Sequence, residues 1–172
     1  MINKLNYKKP LASIIGGSIA LLAISFIGGQ EGLSNAPYKD AANVWTVCYG
    51  ETNVKMQRYT TSECKTMLDT SLAGYAEGVK KSTTGFDTLP AGAKVAAISM
   101  AYNAGLANYQ KSTFRKMLAE KKLPEACDQL PRWRFVAGKD CAIRSNGCYG
   151  VYRRRLDERA ACRGEANETR IG

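Results

Sequence analysis

Residues 11–29 read LASIIGGSIALLAISFIGG, nineteen residues without a charge. As a helix this run is roughly 28 Å long, about one hydrocarbon core. Lys4, Lys8 and Lys9 stand before it. Positive flanks stay cytoplasmic, so the chain after residue 29 is expected on the far side of the membrane. A cleaved signal peptide has a shorter apolar core followed by a small-x-small site. Ala23 and Ser25 offer only a poor one here, with Ile24 and Phe26 around them, so an uncleaved anchor is the expectation. Ten of the nineteen residues are Gly, Ala or Ser. With nine large apolar residues the insertion energy comes to only a few kcal/mol, so this helix is able to leave the bilayer. The expected organisation is an anchor over 1–29 and one domain over 30–172.

The 172-residue chain contains no histidine. That removes Ser-His-Asp hydrolases and Cys-His peptidases, and with them the usual catalytic zinc sites. Proton transfer in an enzyme of this composition falls to carboxylates, Lys, Tyr or Cys. No cofactor or metal site is expected. The net charge of +10 favours anionic partners: nucleic acid, a membrane surface or an acidic polymer such as a cell wall; of these the membrane and the wall are expected, and nucleic acid is not. The one dense basic run, Arg153 to Arg155, is followed by Asp157 and Glu158 and reads as a solvated helix face. Six cysteines without a CxxC spacing read as a disulfide framework in an oxidising compartment, with 15 connectivities open.

After Gln30 the sequence is turn-rich, with β-formers over Val44 to Tyr49. A small antiparallel sheet is predicted between residues 38 and 60. Thr60 and Glu63 have capping-box spacing, and Cys64, Met67, Leu68, Leu72, Tyr75 and Val79 follow at helical spacing. Pro90 opens a second helix, apolar almost all round from Val95 to Tyr102 and therefore buried, with Gly105 as its stop. Ser112 caps a third helix, Pro124 starts a fourth, and the last runs from about Gly150 to Cys162. The fold class is α+β.

Glu31 and Asp40 are nine residues apart, and Thr46 lies six further on. The expected placement is Glu31 on a helix end, Asp40 in a turn and Thr46 on a strand. Two carboxylates in different surroundings are what glycoside hydrolysis requires: one stays protonated to donate to the leaving oxygen, the other stays ionised.

With these residues in view the sequence resembles the phage-type lysozymes, endolysins of glycoside hydrolase family 24. Their Glu-x8-Asp-x5-Thr pattern is met by Glu31, Asp40 and Thr46. EG at Glu31, YKD at Tyr38 to Asp40 and WTVCYG at Trp45 to Gly50 match as well. So do AYNAG at 101–105, STFRKML at 112–118, DQLPRW at 128–133, and Gly150, Arg153, Arg154, Glu158 and Arg159 of the RR-x-x-E region. The resemblance covers about residues 30 to 165. Many members carry His where this chain has Glu51. The weak Gly- and Ala-rich first segment is similar to that of the signal-arrest-release subgroup, although it has no cysteine.

The resemblance implies a phage-lysozyme fold and hydrolysis of the β-1,4 bond between N-acetylmuramic acid and N-acetylglucosamine in peptidoglycan, with inversion. Glu31 is then the general acid, and Asp40 with Thr46 orients water. Tyr102, Asn103 and Gln129 are expected to contact sugar. The protein is expected at the host inner membrane, then as a monomer in the periplasm after release. Expected disulfides are Cys141–Cys148, Cys127–Cys162 and Cys48–Cys64. A lytic transglycosylase and a non-catalytic cationic wall-binding protein are the alternative readings.

Overall fold

In a computed structural model, residues 9–40 and 42–165 are described; of the N-terminal lysines, Lys4 and Lys8 lie outside them. The chain divides into two compact units, Met1–Glu77 and Gly78–Gly172. Helices dominate and the β-structure is small and antiparallel, as expected for α+β.

The first unit begins with the apolar run, and the single straight helix expected for it is not what forms. Helix α1 covers Ala12–Ile15 and α2 covers Gly17–Glu31. Between them Gly16 adopts φ 84° and ψ 154°, a conformation open to glycine and costly for other residues. No helix among the described residues is long and apolar enough to cross a membrane. Instead the segment buries one face: Leu11, Ile15, Ala20, Ala23 and Ile27 are inaccessible or nearly so, while Leu21 remains 71% exposed on the other side. Leu11 N–H donates to Asp69 Oδ2 at 3.3 Å, tying the start of the run to α3 (Thr61–Ser82). Gly28 lets α2 approach closely, since a Cβ there would stand 3.2 Å from Leu68 Cδ2 and 3.3 Å from Tyr49 Cε1.

Strands β1 (Ser34–Lys39) and β2 (Trp45–Cys48) form a hairpin, so the sheet starts a few residues earlier than its sequence signal. The capping box of α3 is present. Thr60 N–H donates to Glu63 Oε2 at 2.7 Å, and Glu63 N–H donates to Thr60 Oγ1 at 3.2 Å. The bonds from the Thr60 backbone and hydroxyl hold the Glu63 carboxyl below its usual range. Cys64, Leu68 and Leu72 form the buried stripe of α3.

Helix α3 carries the chain into the second unit, which contains α4 (Ala91–Ala104), α5 (Leu106–Lys111), α6 (Thr113–Ala119), α7 (Leu123–Cys127) and α8 (Tyr149–Cys162). Helix α4 is its central element, with every residue from Ala93 to Ala101 buried. Gly105 at φ 95° ends it, and Ser112 Oγ caps α6 by accepting from Arg115 N–H at 3.1 Å. Helices α4 and α8 pack closely; a Cβ on Gly92 would fall 1.9 Å from the Ala161 carbonyl oxygen, so only glycine fits there. A hairpin that the sequence reading omitted, β3 (Phe135–Val136) with β4 (Lys139–Asp140), turns through Ala137 and Gly138, both at positive φ. The three disulfides pair Cys48–Cys64, Cys127–Cys162 and Cys141–Cys148, as expected.

One sequence expectation is corrected in α8. Arg153 is exposed, but Arg155 is 1% and Glu158 0% accessible. The run is therefore not a solvated face throughout, because every third or fourth residue of α8 turns toward α4.

Candidate active site

The first unit holds Glu31, Asp40 and Thr46 on the elements expected of them. Glu31 is the last residue of α2. The helix stops there because Gly32 takes φ 75°, its N–H donating to the Gly28 carbonyl at 3.1 Å. A shallow pocket of about 320 Å³ is lined by Glu31, Gly32, Leu33, Ser34 and Tyr38. The carboxyl-bearing helix end and the first strand thus share one concavity, and Tyr38 joins the acid in it.

Asp40 begins the hairpin turn. Its Oδ1 accepts from the N–H groups of Ala42 and Val44, both at 2.9 Å, and its own N–H donates to the Val44 carbonyl at 3.0 Å. Asn43 takes the left-handed conformation at φ 60°, which asparagine tolerates better than most residues. The aspartate therefore closes the turn with one oxygen. Tyr38 pairs directly with Thr46 across the hairpin, and Lys39 with Trp45. Directly opposed residues of an antiparallel pair share a face, so Thr46 lies on the side of Tyr38, and Trp45, with the Lys39 ammonium 5.5 Å from its ring centre, on the other. Thr46 is buried and its Oγ1 donates to the Val44 carbonyl at 3.0 Å. The Cys48–Cys64 disulfide pins β2 to α3.

Behind the hairpin lies a carboxylate that the sequence reading left without a role. Glu51 is 3% exposed; its backbone exchanges two hydrogen bonds with Val47, and its Oε1 accepts from Ser71 Oγ of α3 at 3.0 Å. Burial, and then the Glu51 charge, push the Tyr75 phenol above its ordinary range. The side chain at this position is thus an acceptor matched to a hydroxyl.

The expected sugar contacts belong to the second unit. Tyr102 is half-buried and Asn103 exposed, both in the last turn of α4; Gln129 is half-buried and starts the 3-10 turn Leu130–Arg132 on another segment. Asn103 Oδ1 accepts from Arg155 Nη2 at 2.9 Å. The buried Arg155 and Glu158 pair was not foreseen. The RR-x-x-E spacing held the signal, since residues three apart share a helix face.

Residues 28–158 match the family model for phage lysozyme. The chain is 34% identical over 163 residues to the SAR-endolysin of Enterobacteria phage P21, covering 90% of this chain and 93% of that one. Among solved structures it is similar to the endolysin from Escherichia coli O157:H7 phage FAHEc1, with a TM-score of 0.71 and 24% identity over 81% of this chain and 89% of that one. It is likewise similar to the active form of the P1 phage endolysin, with a TM-score of 0.70 and 23% identity over 93% and 97%. At these identities the two structures speak for the fold.

Proposed function

Because this chain belongs to the phage lysozyme family, we propose that it is an exported endolysin that hydrolyses the β-1,4 bond between N-acetylmuramic acid and N-acetylglucosamine, with Glu31 as its general acid. The observation that carries this reading is the placement of Glu31 at a helix end, in one pocket with Tyr38, on the strand that leads into the Asp40 turn and pairs with Thr46. Glu31 delivers its proton to the bridging oxygen as the bond to the anomeric carbon breaks. Asp40, held by its turn, and the Thr46 hydroxyl orient a water for attack from the opposite face. That route inverts the anomeric centre.

Residues 11–29 act in this reading as a releasable anchor. In the bilayer they form one helix with Glu31 two residues beyond, at headgroup level. After release the segment breaks at Gly16 and buries the face that carries Leu11, Ile15, Ala20, Ala23 and Ile27 within the first unit. The protein is then inactive at the inner membrane and active in the periplasm.

The test is lysis of outer-membrane-permeabilised cells, followed by turbidity, with the wild type beside Glu31→Gln and Asp40→Asn. Glu31→Gln should abolish clearing while leaving the far-UV spectrum unchanged. Asp40→Asn retains an Oδ1 to close the turn and loses the charge, so it should remain folded with lysis greatly reduced. Wild-type activity in Glu31→Gln would refute the assignment. NMR of the first-formed product should show the inverted anomer; retention would refute the water-attack role of Asp40, and a 1,6-anhydro product would identify a lytic transglycosylase.

A further inference from the structure

The segment from Gln129 to Leu156 holds seven Lys and Arg against one acid, Asp140. Within it, the β3–β4 hairpin and the disulfide loop that follows leave apolar side chains in solvent beside this charge. Phe135 is 61%, Val136 46% and Ile143 53% exposed. Single apolar residues scattered over a surface need no explanation, whereas three in one short basic segment mark a contact surface.

The patch is braced. Asp140 Oδ1 accepts from Arg134 Nε and from the Ala142 N–H, both at 2.9 Å. The Cys141 N–H donates to the Arg134 carbonyl at 2.9 Å, and the Cys141–Cys148 disulfide closes the loop. The Arg134 guanidinium lies 5.6 Å from the Phe135 ring centre and 5.7 Å from that of Tyr152. Tyr152 meets Tyr149 edge-on at 5.9 Å, and the Arg144 guanidinium lies 3.9 Å from the Tyr149 ring centre. Phe135, Arg134, Tyr152, Tyr149 and Arg144 thus form one continuous row of rings and guanidinium groups. Arg134 is taken up by Asp140. Arg144 and Lys139 are exposed, and neither side chain bonds to a carboxylate among the described residues. A guanidinium held over a ring by its face keeps its N–H edge for the oxygens of a phosphate.

We propose that this face of the second unit docks on an anionic phospholipid bilayer, with Phe135, Val136 and Ile143 entering the acyl boundary and Arg144 and Lys139 holding lipid phosphates. The occupant follows from the mixture of groups. A soluble polyanion would satisfy the two cations but leave Val136 and Ile143 in water, since aliphatic side chains cannot stack on bases. An apolar protein surface would cover those side chains but desolvate the two cations without partners. An anionic bilayer offers acyl chains and phosphates within about 5–10 Å of depth. Aromatic and basic side chains set side by side suit that boundary. The inference goes beyond the wall-hydrolysis reading and does not depend on it. It gives the released chain a membrane contact separate in sequence from residues 11–29.

The test sediments the soluble full chain with vesicles of phosphatidylcholine, alone or with phosphatidylglycerol as one lipid in four. The wild type should partition about tenfold more strongly to the anionic vesicles and be released from them by salt. Phe135→Ser with Val136→Ser, and separately Lys139→Glu with Arg144→Glu, should each lower that partition about tenfold. All four positions are exposed, so the urea midpoints of both pairs should match the wild type. Arg144→Lys keeps the charge and should lose less than Arg144→Glu. Residues 11–29 are themselves apolar, so the contact is located in bicelles of the anionic mixture doped with a nitroxide-labelled phosphatidylcholine. There the amide signals of residues 135–139 and 143–144 should broaden. Broadening confined to residues 11–29, equal partition to the two vesicle types, or wild-type partition in both variant pairs would overturn the proposal. Tighter binding to a fifteen-nucleotide oligothymidine than to the anionic vesicles would overturn it in favour of a soluble polyanion, and a concentration-dependent dimer lost in the serine pair in favour of a second copy of this chain. None of these readouts involves turnover, so failure of the glycosidase reading would leave them unchanged.

Discussion

Gly28 and Gly29 are neighbours in the last turns of α2, and alanine at the two positions should act with opposite sign. Each substitution adds one methyl group to the same apolar segment, so a membrane-inserted helix barely distinguishes them; the folded unit does. At Gly29 a Cβ meets no heavy atom within 4 Å. Alanine there should gain the helix-propensity difference over glycine, about 0.5–1 kcal/mol near a helix end. At Gly28 the Cβ stands 3.2 Å from Leu68 Cδ2 and 3.3 Å from Tyr49 Cε1. Both neighbours are buried and have little room to give way. Overpacking of a filled core costs about 1–3 kcal/mol, which offsets the propensity gain and leaves Gly28→Ala less stable than Gly29→Ala by roughly that amount. Urea unfolding of the soluble full chain, followed by far-UV circular dichroism with disulfides intact, reads the difference as two midpoints on either side of the wild type. A Gly28→Ala midpoint equal to or above that of Gly29→Ala would refute the packing of α2 on α3 described here. The same arithmetic decides how the segment can be made more apolar without harming the folded unit: Gly17 and Gly29 have room for a larger side chain, and Gly28 has none.

Two further outcomes follow from groups placed above. Burial pushes the Glu158 carboxyl up to about 7, against the pull of Arg155 and of the Ser99 bond. A raised pKa contributes stability below the ordinary value near 4.5 that is lost as pH rises through about 7, so the urea midpoint should fall between pH 5 and pH 8, and Glu158→Gln should flatten that fall; an unchanged slope in the variant would remove Glu158 as its cause. Gly16→Ala penalises the φ 84° conformation by about 1–3 kcal/mol while favouring one uninterrupted helix through the apolar run, so the membrane pellet should gain protein at the expense of the soluble fraction after ultracentrifugation, and an unaltered partition would count against Gly16 as the point where the segment bends on release.

The features legible in the sequence are those whose cause is local. Thr60 with Glu63, Ser112 before Phe114 and Gly105 after the apolar run each act within one helical turn, and each terminus forms where its residue type requires it. Glu31, Asp40 and Thr46 reach their elements for the same reason, since a glycine follows the first, an Asx turn encloses the second and β-formers surround the third. What stayed hidden depends on which faces meet. Gly16 looks like any glycine in a helix-length apolar run, and only the burial of Leu11 and Ile15 against the rest of the first unit makes a break there worth its loss of helix. Ser99 with Asn103, and Arg155 with Glu158, each have the spacing of a surface pair on a single helix. Packing α8 on α4 at Gly92 brings those two faces together, and the charges that composition assigns to solvent then become a buried pair, with Ser99 bonded to Glu158 and Asn103 to Arg155. A sequence carries the register of each face but not the partner it is pressed against. That is why a charge run read alone gives Arg153 correctly as exposed and gives Arg155, two residues on, its opposite.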